Sequence, residues 1–389
     1  MDGLSLDPRA LLQEATKQTG LDDFGDEGFR EPFERTCAAL DGEAGLNAAG
    51  RGAQRQRVIE LLTTRARAEH WFAKHPEILE ESIVAPLVIV GLPRTGTTML
   101  HRVIASDPSF DCALWYETRF PVPPLDWDWA SPDPRIEQGK QEVAQTLEFV
   151  PELASVHPWD ACQPDEELML MEQSFLTQMA ESYVDIPKFG AWRLQQSQRP
   201  SYAVLKRMLQ LLQWQHRRLG RARERWVLKA PAHMKDMELL FETFPDVSVV
   251  QTHRDPVQSI PSICSMVHYV WQLGADAPDA RSAGEQWSRI FCDSVNACMA
   301  FREAGHDDRF LDIQFLDSLK DPIGAVNRIY AFLGKSLTPF AEDQMRQWTE
   351  ENAREKRPPH DYTLAKFGLS EEGIERDFGS YRERYVTPR

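Results

Sequence analysis

The passage from Leu87 to Thr98 constrains the fold more than any other part of this sequence. Leu87-Val88-Ile89-Val90 is an unbroken apolar run, the pattern of a strand covered on both faces of a parallel sheet. Gly91-Leu92-Pro93-Arg94-Thr95-Gly96-Thr97 interrupts it, and from Thr98 onward Met99, Leu100, Val103 and Ile104 recur at helical spacing. Strand, glycine-bounded loop and helix together make an anion cradle, because the backbone N–H groups of the turn and of the helix start converge on one place. Gly96 permits close backbone approach, and threonine hydroxyls add donors.

The loop is near the nucleotide-binding pattern G-x-x-x-x-G-K-[ST], but Thr97 stands where that pattern has lysine. The cation has moved into the loop as Arg94. A kinase or NTPase of the P-loop type is the alternative enzyme class, and a non-catalytic nucleotide-binding protein of the same fold is the alternative outside enzymes. The missing lysine argues against the first.

Further along, Arg225 to Lys229 reads as a strand, Met237 to Phe244 as a helix and Val247 to Val250 as a strand. This is a parallel crossover. A helix from Pro256 to Val270, a strand from Arg309 to Phe315 and a helix from Pro322 to Leu333 complete it. Cys112 to Tyr116 reads as one more strand, and Glu166 to Ser182 and Tyr202 to Leu219 read as helices. The fold class is α/β: a P-loop-like parallel sheet flanked by helices, with helical insertions. Residues 1–82 carry helical spacing only and read as an extension packed on the core. Residues 83–389 read as the α/β domain, with a helical insertion at about 130–222.

A second anion motif opens the Pro256 helix. Arg254 lies in His253-Arg254-Asp255-Pro256, and Ser262 follows two helical turns later. Guanidinium and hydroxyl at that spacing can meet on one phosphate. Two phosphate-type sites fit a donor phosphorylated at two positions. Pro93-Arg94-Thr95-Gly96-Thr97-Thr98 resembles the 5′-phosphosulfate loop of the sulfotransferases, and Arg254 with Ser262 resembles their 3′-phosphate motif. The overall pattern is similar to bacterial members with a longer helical format.

That resemblance implies 3′-phosphoadenylyl sulfate as donor, a hydroxyl of a small-molecule, lipid or carbohydrate acceptor, and transfer without a metal. It puts Arg94 in the place of the catalytic cation. It puts Lys229, in Trp226-Val227-Leu228-Lys229-Ala230-Pro231-Ala232-His233, near the sulfuryl group. In this family the final loop folds over the nucleotide, so the basic run around Arg357 either joins Arg254 or is a solvated loop. His233 either starts a helix or faces the cleft.

A base for the acceptor hydroxyl has several candidates: Glu117, His157, and Glu166 or Glu167. Glu117-Thr118-Arg119 resembles the Glu-Thr-Arg segment of the tyrosylprotein sulfotransferases, which implies Glu117 as the base.

Composition closes other classes. A formal net charge of -16 disfavours nucleic acid and anionic membranes as partners, since phosphate contacts need Lys and Arg. The six cysteines form no C-x-x-C pair and read as small buried hydrophobes of a reducing compartment. No apolar stretch is long enough to span a bilayer, and the acidic start lacks a secretory apolar region. The expected setting is cytoplasmic; homo-oligomers are compatible with it.

Overall fold

The computed structural model describes residues 4–149, 151, 159–352 and 363–386. Among the described residues five parallel strands form one sheet: β1 (Leu87–Gly91), β2 (Phe110–Asp111), β3 (Arg225–Lys229), β4 (Ser248–His253) and β5 (Phe310–Gln314). Their order is β2-β3-β1-β4-β5. The apolar run thus becomes the central strand, buried along its whole length. Alternate side chains serve two cores, as the strand period requires. Leu87 and Ile89 pack with Leu100, Val103 and Ile104 of the helix Thr97–Ala105 and with Val326 and Ile329 of Pro322–Phe332. Val88 and Val90 face the core built by the apolar stripes of the helices Arg199–Arg218, Pro256–Trp271 and Ala280–Phe301.

 The Ala280–Phe301 helix lies against the turn Pro231–Lys235 that follows β3.

Residues before β1 are helical: Pro8–Thr19, Arg30–Gly42 and Ala48–Lys74. Their buried faces make a core of their own with Phe175, Val184, Ile186 and Phe189. This corrects one expectation. Glu166 to Ser182 is not a single helix but Leu168–Met171 and Met179–Tyr183 with a break between them. Ser174 Oγ donates to the Met171 carbonyl and accepts from Leu176 N–H, and Phe175 turns to φ 57°. Its ring then reaches Phe33, 5.3 Å between centroids, so tertiary packing overrides helical spacing.

A second correction concerns β2. The strand is two residues long, and Trp115–Arg119 is a helix. Glu117 Oε2 accepts the Leu114 N–H at 3.0 Å, which satisfies a donor at the helix start and favours the turn over further strand. The cysteines are also not uniformly buried: Cys37, Cys264 and Cys298 are, Cys162 is exposed. Among the described residues no helix is long and apolar enough to cross a membrane.

Candidate active site

All five strands point the same way, so the loops after β1, β3, β4 and β5 open at one edge, where ligands of open α/β sheets bind. Register fixes their levels: Gly91 pairs with Thr252 and Ile89 with Lys229. Gly91 is required by close approach, since a Cβ there would lie 2.3 Å from Thr252 Oγ1. Gly96 has φ 86° and starts the helix Thr97–Ala105, giving the turn its left-handed step.

Thr95 turns its hydroxyl inward. It is buried, and its Oγ1 donates to the Leu92 carbonyl at 2.6 Å and lies 2.6 Å from Thr252 Oγ1. The side chain braces the loop from inside, leaving the backbone to face a ligand. Pro93 and Thr98 are half-buried, Thr97 is buried. Arg94 has φ 68°, which turns its carbonyl to accept from Arg254 Nη1 at 2.8 Å. The loop after β1 and the turn after β4 are therefore joined directly.

Arg254 is further held by Gln258 Oε1 at 3.0 Å and lies over the Phe315 ring, 4.5 Å from its centroid. Asp255 caps the following helix by accepting the Val257 N–H. Ser262, two turns on, is buried on that helix. His253 at the end of β4 is buried between partners: Nε2 lies 2.7 Å from Asp312 Oδ1, Nδ1 3.1 Å from the Tyr381 hydroxyl.

Lys229 ends β3 and is fully buried, with Nζ 2.5 Å from Glu166 Oε1. The segment carrying Glu166 is laid beside residue 114: Leu114 bridges Pro164, and Asp165 N–H donates to the Ala113 carbonyl. Arg102 Nε also donates to the Pro164 carbonyl at 3.1 Å. Glu167 accepts the Lys229 N–H at 2.8 Å and meets His233 Nε2 at 2.9 Å. Burial raises the Glu167 carboxyl, but the hydrogen bonds it accepts from His233 and from backbone N–H groups, that of Lys229 among them, outweigh it and hold the pKa below the usual value. His233 thus faces the protein interior.

Glu117 is not gathered with these groups. Its carboxylate is buried and meets His216 Nε2 at 3.1 Å, Arg221 Nη2 at 2.6 Å and the Tyr116 hydroxyl at 3.0 Å. His216 also meets Asp111, which pairs with Trp226 near the start of β3, whereas Lys229 is at its end. Burial disfavours the charged carboxyl, but His216 and Arg221 prevail and hold it well below the carboxylate range. The same carboxylates overcome desolvation and lift His216 to about 9. Glu117 is therefore the anchor of a buried ion network. His157 and Arg357 lie outside the described residues.

Phe315, Thr252 and Tyr202 were not singled out in the sequence. An aromatic residue directly after an apolar strand at the ligand edge is a usable signal for Phe315; nothing local marks the other two. Among the described residues no three His, Cys, Asp or Glu side chains cluster as a metal site.

The sequence profile of the sulfotransferase family matches residues 86–339. The chain belongs to the sulfotransferase family. The omega-hydroxy-beta-dihydromenaquinone-9 sulfotransferase Stf3 of Mycobacterium bovis is 24% identical over 318 residues, covering 78% of this chain and 76% of the relative. Its Mycobacterium tuberculosis counterpart matches equally. Among solved structures, sulfotransferase STF1 from Mycobacterium tuberculosis is 29% identical, with TM-score 0.82 over 96% of this chain and 98% of that one. Sulfotransferase STF9 from Mycobacterium avium is 24% identical, with TM-score 0.88 over 100% and 98%, and speaks for the fold. This sulfotransferase thus shares its architecture, including the helices before β1, with bacterial relatives over almost the whole chain.

Proposed function

We propose that this sulfotransferase takes its sulfuryl group from 3′-phosphoadenylyl sulfate and gives it to a hydroxyl of a small apolar or lipid acceptor. The observation that carries this is the Lys229–Glu166 pair, 2.5 Å apart at the same sheet edge as the Arg94 loop. The cationic set of Arg94, Lys229 and Arg254, with a glycine loop and a helix start, fits an anionic donor. Arg94 and the backbone of residues 95–98 would hold its 5′ end, and Arg254 with Ser262 its 3′-phosphate. When bound, the donor supplies the sulfuryl group and a phosphate leaving group.

Lys229 neutralises charge at the reacting end, since a buried ammonium acts at low dielectric. Glu166 keeps that ammonium paired in the free enzyme. Its side chain is 28% exposed, so it can also take the proton of an acceptor hydroxyl, a role worth roughly 10²–10⁴-fold. Glu166 rather than Glu117 is the acid in reach of Lys229. The apolar acceptor class rests on the name of the Stf3 relative.

Incubating the protein with donor labelled in its sulfur, together with a total lipid extract or a polar metabolite extract, tests this reading. Label should enter a lipid-soluble product identifiable by mass spectrometry. Labelling of polar products alone would overturn the acceptor class. No labelling in either extract, with no binding of 3′-phosphoadenosine 5′-phosphate, would overturn the donor.

A further inference from the structure

Behind Lys229 lies a buried chain of polar groups that the transfer reaction itself does not use. Glu167, His233 and Tyr202 are 1%, 0% and 3% exposed. Glu167 Oε2 accepts the Lys229 N–H at 2.8 Å, Glu167 Oε1 meets His233 Nε2 at 2.9 Å, and His233 Nδ1 meets the Tyr202 hydroxyl at 2.8 Å. A carboxylate only accepts, so Nε2–H donates to Glu167. With the imidazole neutral, Nδ1 accepts the Tyr202 hydrogen. Burial holds the Tyr202 phenol far above its ordinary pKa, so it keeps that hydrogen.

The need for this chain follows from the sheet. β2 stops at Asp111, level with Trp226, so the end of β3 has no strand on that side. The N–H of Lys229 would be a buried donor without a partner, which costs about 1–3 kcal/mol. Glu167 replaces the missing strand. Its neighbour Glu166 holds the other end of the same lysine, Nζ, at 2.5 Å. Consecutive carboxylates on one short segment thus fix both the backbone and the ammonium of Lys229. His233, in the turn Pro231–Lys235, and Tyr202, on the helix Arg199–Arg218, tie Glu167 to two further elements.

We infer that Glu167, braced by His233 and Tyr202, is a positioning residue that sets the Lys229 ammonium at the reacting end of the site. This rests on the reading of Lys229 as the group that stabilises transfer. Displacing a charged group by about 1 Å can cost on the order of 10²-fold in rate. Glu167→Gln keeps the shape and removes the charge. An amide has one acceptor oxygen where the carboxylate has two, so the Glu167→Gln side chain cannot accept from both the Lys229 N–H and the His233 Nε2–H, and one of the two bonds that fix the segment is lost.

The test is a double-mutant cycle in single-turnover transfer of labelled sulfur to the total lipid extract. Glu167→Gln is made in the wild type and in Lys229→Ala, with melting temperature and affinity for 3′-phosphoadenosine 5′-phosphate measured on each. Glu167→Gln should slow the wild type by about 10-fold or more while nucleotide affinity stays within about twofold. It should add nothing in Lys229→Ala, because the group it positions is gone. Equal slowing in both backgrounds, or none in the wild type, would overturn the inference. A Lys229→Ala enzyme with wild-type rate would instead overturn the reading of Lys229. If Glu167→Gln does not fold, Tyr202→Phe in the same two backgrounds decides, with an expected loss of about threefold confined to the enzyme that has Lys229.

Discussion

A fully buried ammonium is stable only beside a carboxylate, and Lys229 has Glu166 for that purpose. Arg254 is placed differently, half-buried and bound to the Arg94 carbonyl. The two cations should therefore fail in different ways. Lys229→Ala should lower kcat by about 10²-fold or more and leave nucleotide affinity nearly unchanged, because the role proposed for it belongs to the transition state. Arg254→Ala should weaken binding of 3′-phosphoadenosine 5′-phosphate by about 10-fold or more, measured by calorimetry. Unchanged affinity in Arg254→Ala would remove it from the 3′-phosphate site. Glu117 presents the opposite case. Glu117→Gln should cost roughly 3–5 kcal/mol of stability, the usual result of breaking a buried ion pair, and spare kcat. His216, raised to about 9, contributes stability in full below its unfolded value near 6.5 and loses it as pH rises through 9. Glu117, depressed, contributes above its unfolded value near 4.5 and loses this as pH falls. The melting temperature of the wild type should accordingly drop more between pH 7 and 10 than that of Glu117→Gln. Lost transfer at an unchanged melting temperature would return Glu117 to the chemistry. The Arg94 loop and Arg254 were legible because each motif is contiguous or one helix long. The partners of Glu117 were not, because His216 is remote in sequence and only the fold brings it there.

The turn after β4 is held from the far end of the chain. Tyr385 of the helix Gly379–Tyr385 stacks on His253, 4.2 Å between centroids and 7° between planes. Arg382 Nη2 meets Asp255 Oδ2 at 3.0 Å, and Asp312 of β5 fixes His253 from the other side. This helix thereby sets the direction in which Arg254 leaves the sheet. Arg382→Ala removes the partly exposed contact with Asp255, of a kind worth about 0.2–1 kcal/mol, together with the one from Arg382 Nη1 to Glu375 Oε1 at 2.6 Å, so it should weaken nucleotide affinity by about two- to fivefold without lowering kcat. A drop in kcat at unchanged affinity, in the same titrations and turnovers, would count against this role. Strand β1 could be read in advance because a parallel strand covered on both faces is an unbroken apolar run, and β3, β4 and β5 because each holds a short apolar stretch, Trp226–Leu228, Val249–Val250 and Phe310–Leu311, beside polar residues. β2 could not: two residues carry no period, and the choice between strand and helix at Trp115 is made by the Glu117 carboxylate. The break at Phe175 was also hidden, since the ring that demands it waits on Phe33.

The whole chain carries a formal charge of -16, so the cations Arg94, Lys229 and Arg254 at the ligand edge of the sheet run against its overall balance. Separate cores on the two faces of the sheet and another around the helices before β1 mean that occupation of the site strengthens only part of the molecule directly. Arg254, Arg94 and Phe315 nevertheless tie β1, β4 and β5 together at the ligand edge, so a nucleotide bound there resists separation of the central strands. Ligand that binds only the folded protein stabilises it by RT ln(1 + [L]/Kd), ~2.7 kcal/mol at 100 times Kd. 3′-Phosphoadenosine 5′-phosphate should therefore raise the melting temperature in a concentration-dependent way. ATP with magnesium should raise it less, because it lacks the 3′-phosphate proposed to meet Arg254 and Thr97 replaces the lysine of an NTPase loop. Arg254→Ala should narrow the difference between the two ligands, while Lys229→Ala should preserve it. A larger shift with ATP and magnesium in the wild type would mean that the site prefers a triphosphate, and the assignment of the donor would fall with it.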